Sequence, residues 1–428
     1  MRSPGLDRGA EFAQAADAAD ALAAFREEFE LPPGPDGVPA RYLSGHSLGL
    51  MPRAARAAVA AELERWSRQA VGGHFDADGW YAFHERFAAP LATLVGAEPA
   101  EVVAMNSLTV NLHLMLASFF APEGERRRIL IERGAFPSDR FAVRSQLKFH
   151  GLNPDRDLIE LGTAPGEGIA ADALDERLSR EPGRVALVLL PGVQYLSGAA
   201  VDLAACTAVA RRHGCRIGFD LAHAIGNLAL DLTAADPDFA VWCSYKYLNG
   251  GPGAIGGCYV NRRWTADPTL RRLEGWWGQD PARRFEATTS FAPLATAEAW
   301  QLSNPPILAM APLAASLALF EAAGIARLRE KSIALTGLLE RMLDSECGDA
   351  IEISSPREPS RRGAQLSLRL KGTPDRAARI VAALRARGVV IDWRAPDLLR
   401  LAPVPLYNRF IDVHESVAVL AALLRDGT

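Results

Sequence analysis

Residues 242–253 read Trp-Cys-Ser-Tyr-Lys-Tyr-Leu-Asn-Gly-Gly-Pro-Gly: an apolar run breaks on a lysine between two tyrosines and then gives way to glycines. The lysine stands out because the chain has so few. Of 47 basic residues only Lys148, Lys246, Lys331 and Lys371 are lysines, so arginine carries nearly all the positive charge. Phe239 to Cys243 is apolar throughout and reads as a strand, which puts Lys246 just past a strand end.

The same grammar extends outward. Arg216-Ile217-Gly218-Phe219-Asp220 reads as a strand ending in a carboxylate, 26 residues before Lys246, with His223 about one helical turn beyond it. Further strands are expected at Arg128–Glu132, Leu158–Leu161 and Val185–Leu190. Helical spacing falls at Ser138–His150, Ala171–Arg180 and Leu203–His213. Strands separated by helices imply an α/β fold with a mostly parallel central sheet and helices on both faces. Ligands in such sheets bind beyond the carboxyl ends of the strands, so Asp220 and Lys246 are expected at one working edge. Glu125-Arg126-Arg127-Arg128 reads as the solvated start of a strand.

Residues 1 to about 40 read as a helix followed by a Pro/Gly loop, and 52–70 as a second helix. After Ser303-Asn304-Pro305-Pro306-Ile307 a long Ala/Leu helix begins near Leu308. Strand-like 365–370 and helical 376–387 then suggest a smaller α+β domain. The expected division is 1–75, an N-terminal segment belonging to the small domain; 76–307, the large domain; and 308–428, the small domain.

Composition narrows the function. A net charge of −4 with no Lys/Arg stripe argues against nucleic acid. No run of 18 apolar residues occurs, and the first residues lack a signal peptide's apolar core. Five scattered cysteines suggest reduced thiols in a cytosolic, that is cytoplasmic, protein, and no histidine or cysteine spacing suits a metal.

An aspartate and a lysine at one sheet edge suit pyridoxal 5'-phosphate. The lysine amine forms a Schiff base with the aldehyde, and the aspartate pairs with the protonated ring nitrogen. Each residue alone is as readily a helix cap or a surface lysine; the pair is the signal. Gly250–Gly257 permits close backbone approach to a ligand or a partner, but has no GxxxxGK[ST]. Asn106-Ser107-Leu108-Thr109-Val110-Asn111 offers a hydroxyl-bearing helix start for a phosphate, and a simple N-cap is an equal reading.

Seven blocks, in order, resemble the kynureninase family. They are NSLTVNLHLM (106–115), AFPSDRFAVRSQL (135–147), GFDLAHAIGN (218–227), WCSYKYLNGGPG (242–253), LEGWWGQ (273–279), SNPPI (303–307) and RLAPVPLYN (400–408). The resemblance implies a homodimeric fold-type-I pyridoxal phosphate enzyme that hydrolyses L-kynurenine to anthranilate and L-alanine. It makes Lys246 the Schiff-base lysine, Asp220 the partner of the ring nitrogen, and Tyr245 either a proton donor or a phosphate ligand. Leu108, Thr109, Phe136, Ser138, Asp139, His223, Trp276 and Asn304 become cofactor contacts, with Trp276 and Asn304 lent to the neighbouring subunit. Arg400 becomes the holder of the substrate's α-carboxylate; His74 and Asn304 are candidate readers of a ring hydroxyl, which makes 3-hydroxykynurenine an expected substrate.

Two positions depart from the family pattern. Gly45-His46-Ser47-Leu48-Gly49 stands where Gly-Asn-Ser-Leu-Gly is expected, and Pro191, with no side-chain donor, is left out of the site. The competing reading within the fold is a cysteine desulfurase, which needs a mobile nucleophile that only Cys347 offers in the C-terminal part. A dinucleotide-dependent oxidoreductase lacks its GxGxxG, and a non-catalytic binding protein has no need of Lys246.

Overall fold

A computed structural model describes residues 4–162, 168–287 and 290–426. Its larger part is built on seven strands: β1 (Val102–Ala104), β2 (Arg128–Glu132), β3 (Leu158–Leu161), β4 (Val185–Pro191), β5 (Arg216–Asp220), β6 (Phe239–Cys243) and β7 (Gly256–Val260). Across the sheet they run β1-β7-β6-β5-β4-β2-β3. The pairs from β6 through β3 are parallel, whereas β7 runs antiparallel to both of its neighbours.

Alternation along the strands explains why the sheet is buried on both sides. Leu130, Val188, Leu190, Phe219 and Trp242 enter one hydrophobic cluster, and the interleaved Ile129, Ile131, Leu187, Leu189 and Val241 enter another. Leu112 and Met115 of helix α1 (Leu108–Phe119) and Val143 and Leu147 of α2 (Pro137–Phe149) cover the second face. The first face is covered by α3 (Ala171–Ser179), α4 (Leu203–Arg212) and α5 (Ile307–Ala323).

Strands β1 and β7 were not anticipated. They are short, and β7 opens on two glycines whose role is packing: a Cβ at Gly257 would strike the Trp242 ring, and one at Gly256 would meet the Leu108 amide nitrogen 3.0 Å away. Glycine here lets β7 pack closely against Trp242 and the start of α1.

The smaller part is an antiparallel sheet of β8 (Ile351–Ile353), β9 (Leu366–Leu370), β10 (Asp392–Arg394) and β11 (Leu398–Leu401), ordered β8-β9-β11-β10. Its core also takes Ala13 and Leu43 from the N-terminal segment, beside α6 (Ile325–Cys347), α7 (Pro374–Ala386) and α8 (Phe410–Arg425). Residues 44–49 then cross from this sheet to the lysine turn: Ser44 bridges Ala402, and the Gly49 amide donates to the Tyr245 carbonyl at 2.8 Å. Among the described residues no single helix is long and apolar enough to cross a membrane. The bent pair α5 and α6, 82° apart, passes by composition alone and buries residues in the two cores.

Candidate active site

The parallel register brings three acids to one edge. Glu132 ends β2, Asp220 ends β5, and Asp139 lies in the first turn of α2, which starts five residues after Glu132. They line a pocket with Lys246, Phe136, Tyr195, His223 and Pro191. Lys246 is only 8% exposed, and its Nζ lies 5.6 Å from the Phe136 ring centre and 5.8 Å from that of Tyr245. Its backbone is fixed by a tight turn, in which the Gly250 amide donates to the Ser244 carbonyl at 2.8 Å and the Asn249 amide to the Lys246 carbonyl at 3.0 Å. A Cβ at Gly49 would collide with that same Lys246 carbonyl, so the N-terminal loop presses on the turn.

The acids sit in different surroundings. Asp220 Oδ1 accepts the Ala222 amide at 2.7 Å, which orients the carboxylate. Burial, then the neighbouring Asp220, pushes the Asp139 carboxyl well above the carboxylate range. Burial also lifts Glu132 to about 8. The edge thus holds carboxyls that carry protons at neutral pH beside one that is aimed. Asp139 Oδ1 and His223 Nδ1 are buried without partners, and burial followed by the Lys246 charge keeps His223 neutral.

Helix α1 starts at Leu108, and Ser107, at its N-cap, makes no side-chain capping bond. The hydroxyls turn elsewhere: Thr109 Oγ1 meets Ser138 Oγ at 2.8 Å, joining the first turns of α1 and α2. Leu108 itself packs against the second core cluster. Tyr245 is half-buried, and burial raises its hydroxyl above the usual tyrosine value.

Arg400 comes from the smaller sheet and is 1% exposed. It faces Asp392 across β10 and β11 and forms a two-pronged pair with it: Nε to Oδ1 at 3.3 Å and Nη2 to Oδ2 at 2.6 Å. Nη1 donates to the Tyr195 carbonyl at 2.7 Å. A guanidinium has five N–H groups, so one remains on each terminal nitrogen, the spacing that takes both oxygens of a further carboxylate.

Glu132, His46, Asp392 and Tyr195 were missed as site residues. Glu132 carried the signal that found Asp220, a carboxylate closing an apolar strand. His46 had been noted only as a departure from pattern. Pro191, set aside for want of a donor, lines the pocket as apolar wall.

His74, Trp276 and Asn304 lie apart from this pocket. His74 is half-buried, packs edge-on to Trp80 at 5.2 Å between ring centres, and places Nδ1 3.2 Å from the Val71 carbonyl. Trp276 is 46% exposed, donates to the Arg284 carbonyl at 2.6 Å and packs on Phe285; Ser303 and Asn304 are exposed. All five cysteines are buried and free of disulfides, and the described residues hold no cluster suited to a metal ion.

The profile described as "Kynureninase C-terminal domain" matches residues 328–420. A kynureninase of Xanthomonas euvesicatoria is 52% identical, spanning 96% of this chain and 97% of its own. One from Koribacter versatilis is 49% identical over 99% of this chain and 100% of its own. Among solved structures, a C-DES mutant with glycine covalently linked to its PLP cofactor superposes with a TM-score of 0.77 at 19% identity, covering 92% of this chain and 98% of that one. A cysteine desulfurase of Escherichia coli gives 0.75, also at 19%, over 94% and 98%. The structural likeness establishes the fold, and half-identity over nearly the whole length establishes more: the chain belongs to the kynureninase family.

Proposed function

We propose that this chain hydrolyses L-kynurenine to anthranilate and L-alanine with pyridoxal 5'-phosphate, and accepts 3-hydroxy-L-kynurenine as well. The observation that carries the reading is the convergence of a buried lysine, an aimed aspartate and an aromatic face on one pocket at the sheet edge.

The residues fit the cofactor. Asp220 is a buried carboxylate held ready for a cationic ring nitrogen, and Asp139 Oδ1 and His223 Nδ1 are buried polar atoms still without partners. Phe136, 39% exposed above Lys246, offers a ring face for stacking. The Thr109 and Ser138 hydroxyls and the first-turn amides of α1, beginning at Leu108, supply donors for a phosphate, with the helix dipole behind them. Lys246 would hold the aldehyde carbon. When bound, the cofactor supplies a cationic ring that withdraws electrons from the substrate's amino nitrogen, loosening the Cα proton and the Cβ–Cγ bond.

The chain's own groups do the rest. Arg400 takes the α-carboxylate on its two remaining N–H groups, which fixes Cα relative to Lys246. Lys246 removes the Cα proton and returns a proton later. Tyr245, adjacent to it, either donates to the leaving carbon or holds the phosphate. Overall one water is added across the Cβ–Cγ bond, giving the aryl carboxylate and alanine. Asn304, Ser303 and His74 supply polar groups for a 3-hydroxyl.

Their position on an exposed face, together with Trp276, supports a homodimer in which each subunit lends these residues to the other's pocket. We read the enzyme as cytoplasmic and divide it at 1–75, 76–307 and 308–428. The desulfurase alternative has no support from Cys347, which is 4% exposed in the smaller core, its thiol pushed up to about 12 by burial.

The test is direct. Purified protein loaded with the cofactor should convert L-kynurenine to anthranilate and alanine in equal amounts, and borohydride should fix the cofactor to Lys246. A protein that is trapped at Lys246 yet releases no anthranilate would overturn the substrate assignment while leaving the cofactor site standing.

A further inference from the structure

Resting on the kynurenine reading above, we propose that His46 is a second recognition residue for the substrate's α-carboxylate, donating a ring N–H to the anion that Arg400 holds.

The loop carrying His46 is tied at both ends to the groups that the substrate must bridge. At one end Ser44 pairs with Ala402, two residues past Arg400; at the other the Gly49 amide bonds Tyr245, the neighbour of Lys246. Between them the amides of Ser47 and Leu48 both donate to the Ser44 carbonyl, at 2.9 and 3.2 Å. A Cβ at Gly45 would collide with the Tyr407 hydroxyl, and one at Gly49 with the lysine turn. His46 therefore sits midway along a strut that spans Arg400 to Lys246. The substrate's Cα and carboxylate occupy that same interval, because Lys246 takes the Cα proton and Arg400 the carboxylate.

The ring is fully buried, and neither nitrogen has a hydrogen-bond partner. The groups facing it are Arg400, Lys246, Arg394, Asp392 and His223, whose ring centre lies 6.2 Å away. Asp392 does not satisfy it: His46 Nε2 is 3.9 Å from Oδ2, too far for a hydrogen bond. Arg400 and Arg394 already occupy both oxygens of that carboxylate. Three cations face the imidazole, and cations accept no hydrogen bond. A buried ring nitrogen thus keeps an N–H with no acceptor within the chain, a loss that native folds rarely carry without return. An incoming carboxylate on the free edge of Arg400 supplies the acceptor.

The experiment separates the two ends of the substrate. L-Alanine carries the α-carboxylate; the carboxylate of anthranilate derives from the ketone end instead. Equilibrium binding of each to the cofactor-loaded protein is measured for wild type, His46→Leu and His46→Asn, with melting temperatures alongside. His46→Leu should weaken L-alanine about tenfold or more and leave anthranilate within about twofold, since one N–H to a charged group is lost. His46→Asn, which keeps a neutral donor, should retain L-alanine binding. If His46→Leu does not fold, His46→Ala takes its place. Equal losses for both ligands, or no loss for L-alanine, overturn the proposal. A wild type that binds neither ligand fails the kynurenine reading instead, so the two failures are distinct.

Discussion

Two regions carry the residues that the family resemblance singled out, and they differ in almost every physical respect. The Lys246 pocket is buried, charged and complete in its covalent framework: strand ends fix Glu132 and Asp220, and a stapled loop presses on the lysine turn. The surface bearing His74, Trp276 and Asn304 is open and aromatic, with Phe75 64%, Phe285 66% and Trp276 46% exposed. A contiguous set of exposed large rings on a folded chain marks an interaction face. The contrast teaches that the pocket proposed for the chemistry is built within one chain, whereas the groups proposed to read the aryl ring lie on an exposed face, where our reading places a second copy.

Changes in the first region should be the most damaging. Lys246→Ala should lower kcat on the order of 10⁴-fold while leaving the melting temperature near wild type, and it should abolish borohydride trapping. Normal turnover would show that the buried pocket is not the reacting one. Asp220→Asn should cost on the order of 10² to 10³ in kcat, because a neutral amide no longer holds a ring proton. Cofactor occupancy measured in parallel separates that loss from failure to bind. Arg400→Ala should weaken kynurenine by about 2–5 kcal/mol, and the melting temperature should also fall, since Asp392, with its side chain 10% exposed, keeps less of its partner charge.

The second region should respond in specificity rather than in rate. His74→Ala should shift the ratio of kcat/KM between 3-hydroxykynurenine and kynurenine; an unchanged ratio removes His74 from ring recognition.

A change in pH should register in the stability of the cofactor-free protein rather than in turnover. Glu132 is raised by burial from its ordinary 4.5 to about 8, so the folded state binds more proton than the unfolded state between those values. Its contribution is fully present below pH 4.5 and is lost as pH rises towards 8, with a slope of at most about 1.4 kcal/mol per pH unit. Denaturant midpoints across this window should show a shallower fall for Glu132→Gln than for wild type.

Most of the larger sheet was legible because parallel strands buried on both faces leave continuous apolar runs, and Val185–Leu190 declared itself that way. The edge strands were not: β1 is three residues long, and β7 begins with glycines chosen to clear Trp242 and the start of α1. Asp220 and Lys246 were legible from their strand-end positions. Glu132 obeyed the same rule and was passed over. His46 and Asp392 were illegible for a different reason. Their importance comes from contacts between the N-terminal loop, the smaller sheet and the lysine turn, far apart in sequence, and no local pattern records such a meeting.

The claim that both regions belong to one active site is tested most directly by mixing subunits. Lys246→Ala protein and a Trp276→Ala/Asn304→Ala double variant are each expected to be severely impaired alone. A purified mixed dimer of the two should recover about half the wild-type activity per dimer, because a two-fold assembly then holds one intact site of two. Activity no greater than that of the two parents would contradict the account and confine the site to a single chain.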